Sequence, residues 1–303
     1  AGYIGSVLIG RLLRANCSVI VIDNLLHRTH GLYQYCSAPN FEFVRGDVRD
    51  ESVMAGLIAR ADVLVPLAAV VGMPACQRDP IMATTTNYDA IALLNRLRSK
   101  QQPVIFPCTN SGYGSKSGDF HCNEETPLEP ISVYGRTKVE AEKLLLDEPN
   151  TLSFRFATVF GVSARMRLDL LVNDFVRRAI TDRALVLYEE HFKRNYLHIE
   201  DAAEVLTFAV ENFDHLKGTA YNVGLDDANL SKRELAEKIK QYVPDLCIHS
   251  ATVGSDPDKR NYIVSNRKLK AKGFAATRSL DLGIQQLLKA FRMLAGDSMS
   301  NAA

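Results

Sequence analysis

No stretch of this sequence approaches the roughly 18 consecutive apolar residues that a bilayer-crossing helix needs, so nothing in it reads as a membrane span. Charge of one sign is missing too. Lys and Arg number 36 against 35 Asp and Glu, a formal net charge of +1. That balance implies no general attraction to nucleic acid or to an anionic membrane. The six cysteines, at 17, 36, 76, 108, 122 and 247, form no CxxC pair and no regular spacing. They read as free thiols of a reducing cytoplasm. His121 and Cys122 are adjacent but lack a second pair at zinc spacing, so no metal is expected. The first residues carry neither the basic nor the apolar region of a signal peptide. No internal repeat or low-complexity linker interrupts the 303 residues, a length that suits one large α/β domain or a nucleotide domain with a smaller companion.

What is present is alternation. Short β-branched runs at 18–23, 41–44, 61–67, 103–108 and 152–157 read as strands. Amphipathic helical stretches lie between them at 4–14, 49–59, 84–99 and 134–147. Near-continuous apolar strands separated by helices predict a Rossmann-type, doubly wound parallel sheet covered on both faces. The second half has fewer strand signals. It carries clear helices at 201–213 and 231–243, the latter opened by a Ser231/Glu234 capping box. A smaller C-terminal substrate-binding domain is expected over 161–303. The dinucleotide domain then covers 1–160, with 195–224 returning to it.

Gly2 and Gly5 lie three apart, just before the first helical pattern. Glycines let a backbone approach a pyrophosphate, and the following helix N-terminus favours its charge. Such a turn follows a strand, so a first strand and first glycine are expected ahead of Ala1. Asp23 ends the second strand about 20 residues on, where an acid bonds the adenosine ribose hydroxyls and repels a 2′-phosphate. NAD is therefore the expected cofactor. Asp47, in "RGDVRD", reads equally as an adenine contact or as the N-cap of the helix at 49. Tyr134 and Lys138, in "SVYGRTK", share one face at a helix start. An ammonium beside a phenol favours the phenolate, which can take a proton from an alcohol.

With these features, the sequence resembles the extended short-chain dehydrogenase/reductase family, and within it the NAD-dependent nucleotide-sugar epimerases and dehydratases. The stretches "AGYIGS", "VIDNL", "GDVRD", "TTNYDA", "CTNSGYG", "SVYGRTK", "FRFATVFG", "RNYLHIEDAA", "YNVG" and "DPDKRNY" carry the resemblance along nearly the whole chain. It implies Tyr134 as catalytic base, Lys138 as its partner on the nicotinamide ribose, and Thr109 as the hydroxyl facing the reacting sugar alcohol. It implies NAD contacts from Gly2, Tyr3, Ile4, Gly5, Asp23, Asn24, Asp47, Val48, Leu67, Ala68, Ala69 and Asn87. Ser111, Thr158, Asn173, Arg194 and Arg260 are the implied contacts to a nucleotide-diphosphate sugar. A homodimer paired through two helices per subunit, one starting near Tyr134, is also implied.

Departures from the pattern narrow the reaction. Sugar 4,6-dehydratases carry an Asp-Glu pair directly after the catalytic threonine; here Asn110 and Ser111 stand there, and neither titrates usefully. Pro66 replaces a frequent histidine, and Thr158 an asparagine usual in 4-epimerases. The expectation is C4 epimerisation through a 4-keto sugar. Net oxidation at C4 is the near alternative, and a silent NAD-sensing regulator the distant one. Cys76 reads as a packing cysteine of the pocket loop. The basic stretch Arg165–Asp169 is left open between phosphate, solvent and a second subunit.

Overall fold

The computed structural model describes residues 1–27, 31–116, 120–251, 253–254 and 260–294. Helix α1 (Tyr3–Arg14) leads into β1 (Val19–Asp23) and β2 (Phe41–Arg45), which pair in parallel. After α2 (Glu51–Ile58), α3 (Met73–Arg78) and α4 (Pro80–Thr84), a π turn at Thr85–Asp89 opens α5 (Ala90–Leu97). Then come β3 (Val104–Thr109), β4 (His121–Cys122), α6 (Val133–Leu146), β5 (Thr151–Phe156) and β6 (Thr158–Phe160). The remainder runs α7 (Leu171–Thr181), β7 (Ala184–Leu187), β8 (Lys193–His198), α8 (Ile199–Glu211), α9 (Phe213–Leu216), β9 (Ala220–Val223), β10 (Asn229–Ser231) and α10 (Lys232–Lys240). It closes with β11 (Cys247–Ser250), β12 (Ile263–Val264), α11 (Arg267–Lys270) and α12 (Leu280–Leu294).

The parallel ladder β3-β5-β9 is covered on both faces, as its continuous apolar runs require. On one side Ile105, Phe154 and Phe156 pack with Tyr3 and Leu8 of α1 and with Ala202 and Leu206 of α8. On the other, Val104, Phe106 and Cys108 meet Met54, Ile91, Leu94, Ala141 and Leu145 from α2, α5 and α6. A further apolar cluster joins Val172 and Val176 of α7 to Leu185, Leu235, Ile284 and Phe291.

Three local expectations change. Residues 61–67 do not form a strand: only Leu64 bridges to Val104, its N–H reaching Pro103 O at 2.9 Å and its carbonyl taking the Ile105 N–H at 2.9 Å. In that register the next two bonds need donors at Pro66 and Pro107, and proline has none. The helix expected at 84–99 is split by the π turn, which carries Asn87. The second half holds more strands than expected. They are short, and β8 ("KRNYLH") looks polar, yet β6 and β10 flank it and bury all but its first residue.

Candidate active site

The N-terminus of α1 is built to receive an anion. Its cap is Gly2, with no side-chain cap bond and no acid in the first turn. A Cβ placed on Gly2 would meet nothing within 4 Å. The unsatisfied N–H groups and the positive end of the helix dipole at this terminus fit a dinucleotide pyrophosphate. Asp23 lies beside this turn. One of its carboxylate oxygens is 2.9 Å from the Ala1 nitrogen, and the other accepts the Leu25 N–H at 2.7 Å. Asn24 donates to Asp47 at 3.3 Å. Asp47 does not cap α2; Asp50 does, taking the N–H groups of Ser52 and Val53. Instead the Arg49 fork grips Asp47 at 2.9 and 2.7 Å and holds its carboxyl far below the usual range. Ile4 and Val48 pack in the apolar layers, Leu67 Cδ1 lies 3.7 Å from where a Gly5 Cβ would be, and Ala68 is exposed beside half-buried Ala69. These groups cluster beyond the carboxyl ends of parallel strands, where open α/β sheets bind ligands.

At the other end, β3 delivers Thr109 into a 3₁₀ turn, Asn110–Tyr113. The Thr109 hydroxyl donates to Ser111 Oγ at 2.9 Å and accepts the Ser111 N–H at 3.1 Å. The Arg260 guanidinium donates to Ser111 Oγ. Asn110 is buried, and neither end of its amide finds a hydrogen-bond partner among the described residues. A buried donor and acceptor without partners are costly, so this amide is ready for a ligand or water. Asp256 to Lys259, in the "DPDKRNY" stretch, lie outside the described residues.

Helix α6 starts at a Ser132 cap, which accepts the Gly135 N–H at 3.1 Å, and carries Tyr134 and Lys138 one turn apart. Asn87 secures the helix. Its amide brackets the Val70 backbone (2.8 and 3.0 Å) and donates to Thr137 at 3.3 Å. Burial pushes the Tyr134 phenol up to about 12; Cys108 adds to the rise, while the guanidiniums of Arg167 and Arg260 oppose it. Lys138 is buried with Nζ 4.0 Å from the Phe106 ring centroid. Burial lowers its ammonium to about 8, against the pull of Cys108 and Glu142.

That depression has a stability consequence. Between about pH 8 and 10.5 the unfolded chain binds the Lys138 proton and the folded chain does not, so stability rises with pH across that window. Below pH 8 the full cost of holding a buried cation remains. Lys138→Met is expected to raise the melting temperature at pH 7, by up to about 3 kcal/mol of stability. It should also flatten the rise between pH 8 and 10.5. Thermal melts of both proteins at pH 7 and pH 10 check this; equal differences at the two pH values would contradict it.

The implied sugar-nucleotide residues lie on several elements. Thr158 is half-buried on β6. Arg194 is buried on β8, its guanidinium 5.9 Å from the Tyr262 ring centroid. Asn173 is wholly buried, and its amide is spent inside the protein. It accepts from Gly161 N (3.1 Å) and donates to Tyr3 Oη (3.2 Å) and Arg167 O (2.9 Å). Among the described residues no three side chains could hold a metal. Cys76 is buried, bonds Val70 O at 3.2 Å, and its thiol is pushed up to about 11 by burial.

Sequence reasoning left the stretch Arg165–Asp169 open between phosphate, solvent and a second subunit, and did not place Arg167 at the site. Its guanidinium grips Asp169 at 2.7 and 2.5 Å, and the pair rests on Gly72, within 3.6 and 3.7 Å of a Cβ there. Gly72 has φ +88°, so a side chain would be strained as well as crowded. Only the tertiary approach of residues 70–72 reveals this; the available signal was an Arg-x-Asp pair after a strand.

Comparison with known proteins agrees with this architecture. Residues 1–224 match the NAD dependent epimerase/dehydratase family. A low-salt glycan biosynthesis protein of Haloferax volcanii is 29% identical, over 94% of each chain. The CDP-paratose 2-epimerase of Salmonella typhi is 28% identical, over 88% of this chain and 90% of its own. The UDP-glucuronic acid 4-epimerase of Bacillus cereus, solved with UDP-glucuronic acid and NAD, superposes with a TM-score of 0.83 over 97% of both chains, at 23% identity. With the family matched over most of its length and a Rossmann architecture in common, the chain belongs to the NAD dependent epimerase/dehydratase family, and its cofactor is NAD.

Proposed function

We propose that this protein epimerises C4 of a nucleotide-diphosphate sugar through a 4-keto intermediate. The observation that carries the reading is the company Tyr134 keeps. After burial, the groups that shift its phenol most are two thiols, Cys108 and Cys76, and two guanidiniums, Arg167 and Arg260. Both thiols are held protonated by burial. Eliminating water from a sugar needs a further acid and base, and Asn110 and Ser111 supply neither.

NAD, when bound, supplies the acceptor and then the donor of a hydride. The protein's residues do the rest. Thr109, its hydroxyl fixed by Ser111, orients the sugar 4-hydroxyl. Tyr134 Oη takes that proton and later returns it to the oxygen of the same carbon. Lys138 and the two guanidiniums favour the intervening phenolate. Arg194 and Arg260 hold the diphosphate, a role suited to the planar guanidinium fork, while the sugar turns over between the two half-reactions. Two copies pair through α6 and a neighbouring helix.

Purified protein incubated with UDP-glucose, UDP-glucuronic acid and CDP-linked sugars, followed by product NMR and 340 nm absorbance, tests the reading. A C4 epimer without accumulating NADH is expected. Accumulating NADH with a 4-keto product would replace epimerisation by net oxidation, and a 6-deoxy-4-keto product would replace it by dehydration.

A further inference from the structure

The loop after β6 lies over the glycine turn and is fastened there. Ser163 Oγ donates to Tyr3 O at 2.8 Å and meets Ser6 Oγ at 2.8 Å. The Arg165 N–H turns back onto Ser163 Oγ at 3.3 Å. Tyr3 Oη donates to Gly161 O at 2.7 Å, and Asn173 ties Tyr3 Oη to Arg167 O. Four bonds among buried partners thus seat a loop bearing two arginines against the first turn of α1. Arg165 and Arg167 lie within electrostatic reach of His27 on the β1 loop, and Arg165 also of Asp23. Arg167 reaches both Tyr3 and Tyr134. Arg167 Nη2 lies 3.6 Å from where a Gly72 Cβ would be, on the loop that Ser163 and Asn173 fasten to the first turn of α1. Among the described residues, Asp169, itself largely exposed, is the one ion-pair partner of Arg167, and Arg165 spends one nitrogen on Met166 O at 2.9 Å.

We infer that Arg165 and Arg167 form the far wall of the dinucleotide site and neutralise the pyrophosphate of NAD, opposite the N-terminus of α1. A helix end supplies only a partial positive charge, and α1 has no basic residue in its first turn. Two guanidiniums facing it complete the neutralisation with charge-assisted bonds. Asp169 stores Arg167 in position until the phosphate displaces it. The inference rests on the cofactor of the family and not on the epimerase reading, so either can fail alone.

A diphosphate also occurs in a sugar nucleotide, so the test separates the two sources. NAD⁺, ADP-ribose, adenosine and UDP-glucose are titrated calorimetrically into the intact protein and into Arg165→Gln and Arg167→Gln. Each substitution is expected to weaken NAD⁺ and ADP-ribose about tenfold or more, with adenosine and UDP-glucose changed less than twofold. Arg165→Lys should recover part of the loss. Unchanged NAD⁺ affinity in both glutamine variants overturns the inference. So does a loss shared equally by adenosine, or one confined to UDP-glucose.

Discussion

Tyr134→Phe should lower turnover on the order of 10³-fold, the range that removing a positioned general base costs, while leaving NAD⁺ affinity and melting temperature close to wild type. Phenylalanine keeps the ring carried by α6 and removes only the oxygen to which the proposed mechanism assigns the proton. The pH dependence follows from the same group. Burial pushes the phenol up to about 12, so the phenolate is scarce at neutral pH and its share grows as pH rises. Wild-type turnover should climb with pH, with an apparent midpoint below 12 once bound NAD⁺ adds its cation. The residual rate of the phenylalanine variant should not climb. Turnover measured by product NMR from pH 6 to 10, beside calorimetric NAD⁺ titration, decides it. A variant within tenfold of wild type would mean another group carries the proton.

The second large effect is structural and lies beneath the site. Glu142 on α6 and Arg155 on β5 form a buried, forked pair, with Nε and Nη2 at 2.9 and 2.7 Å from one carboxylate oxygen. Ser153 donates to the other oxygen at 2.6 Å. The remaining guanidinium nitrogen reaches Tyr113 Oη at 3.2 Å and Glu124 O at 3.0 Å. This network bolts the helix bearing Tyr134 and Lys138 to the sheet, and to the turn that follows Thr109. Arg155→Ala leaves a carboxylate with 1% of its side chain exposed and no counter-charge. Removing one partner of such a pair costs about 3–5 kcal/mol, or about 10 °C in melting temperature for a chain of this size. Replacing both partners, as Glu142→Gln with Arg155→Met, should cost less than Arg155→Ala alone, because no buried charge is left. A fall under about 2 °C for Arg155→Ala would show that water or a neighbour replaces the guanidinium.

Legibility varied with range. The capping box at Ser231, the helix starting beside Tyr134 and the strand of "VIFPCT" need only residues within a turn or a pleat of each other, and they form where the sequence places them. Residues 61–67 have the apolar run of a strand, but a ladder depends on the donors of two chains. The coincidence of Pro66 with Pro107 across it appears only once the register is set. Asp47 shows the same limit from the other side: cap and adenine contact were both open, and an arginine two residues on has claimed the carboxylate.

By themselves, the residues determined a glycine-capped helix start, a strand ending on an acid, and a tyrosine and lysine one helical turn apart. Periodicity and short spacing suffice for each, because the interactions that create them are local. The tertiary structure alone decided which charges surround the phenol and which loop covers the glycine turn. Arg167 and Tyr3 are 164 positions apart in the chain. Their meeting depends on the packing of two distant segments through Asn173 and Ser163, a long-range event that no local pattern encodes.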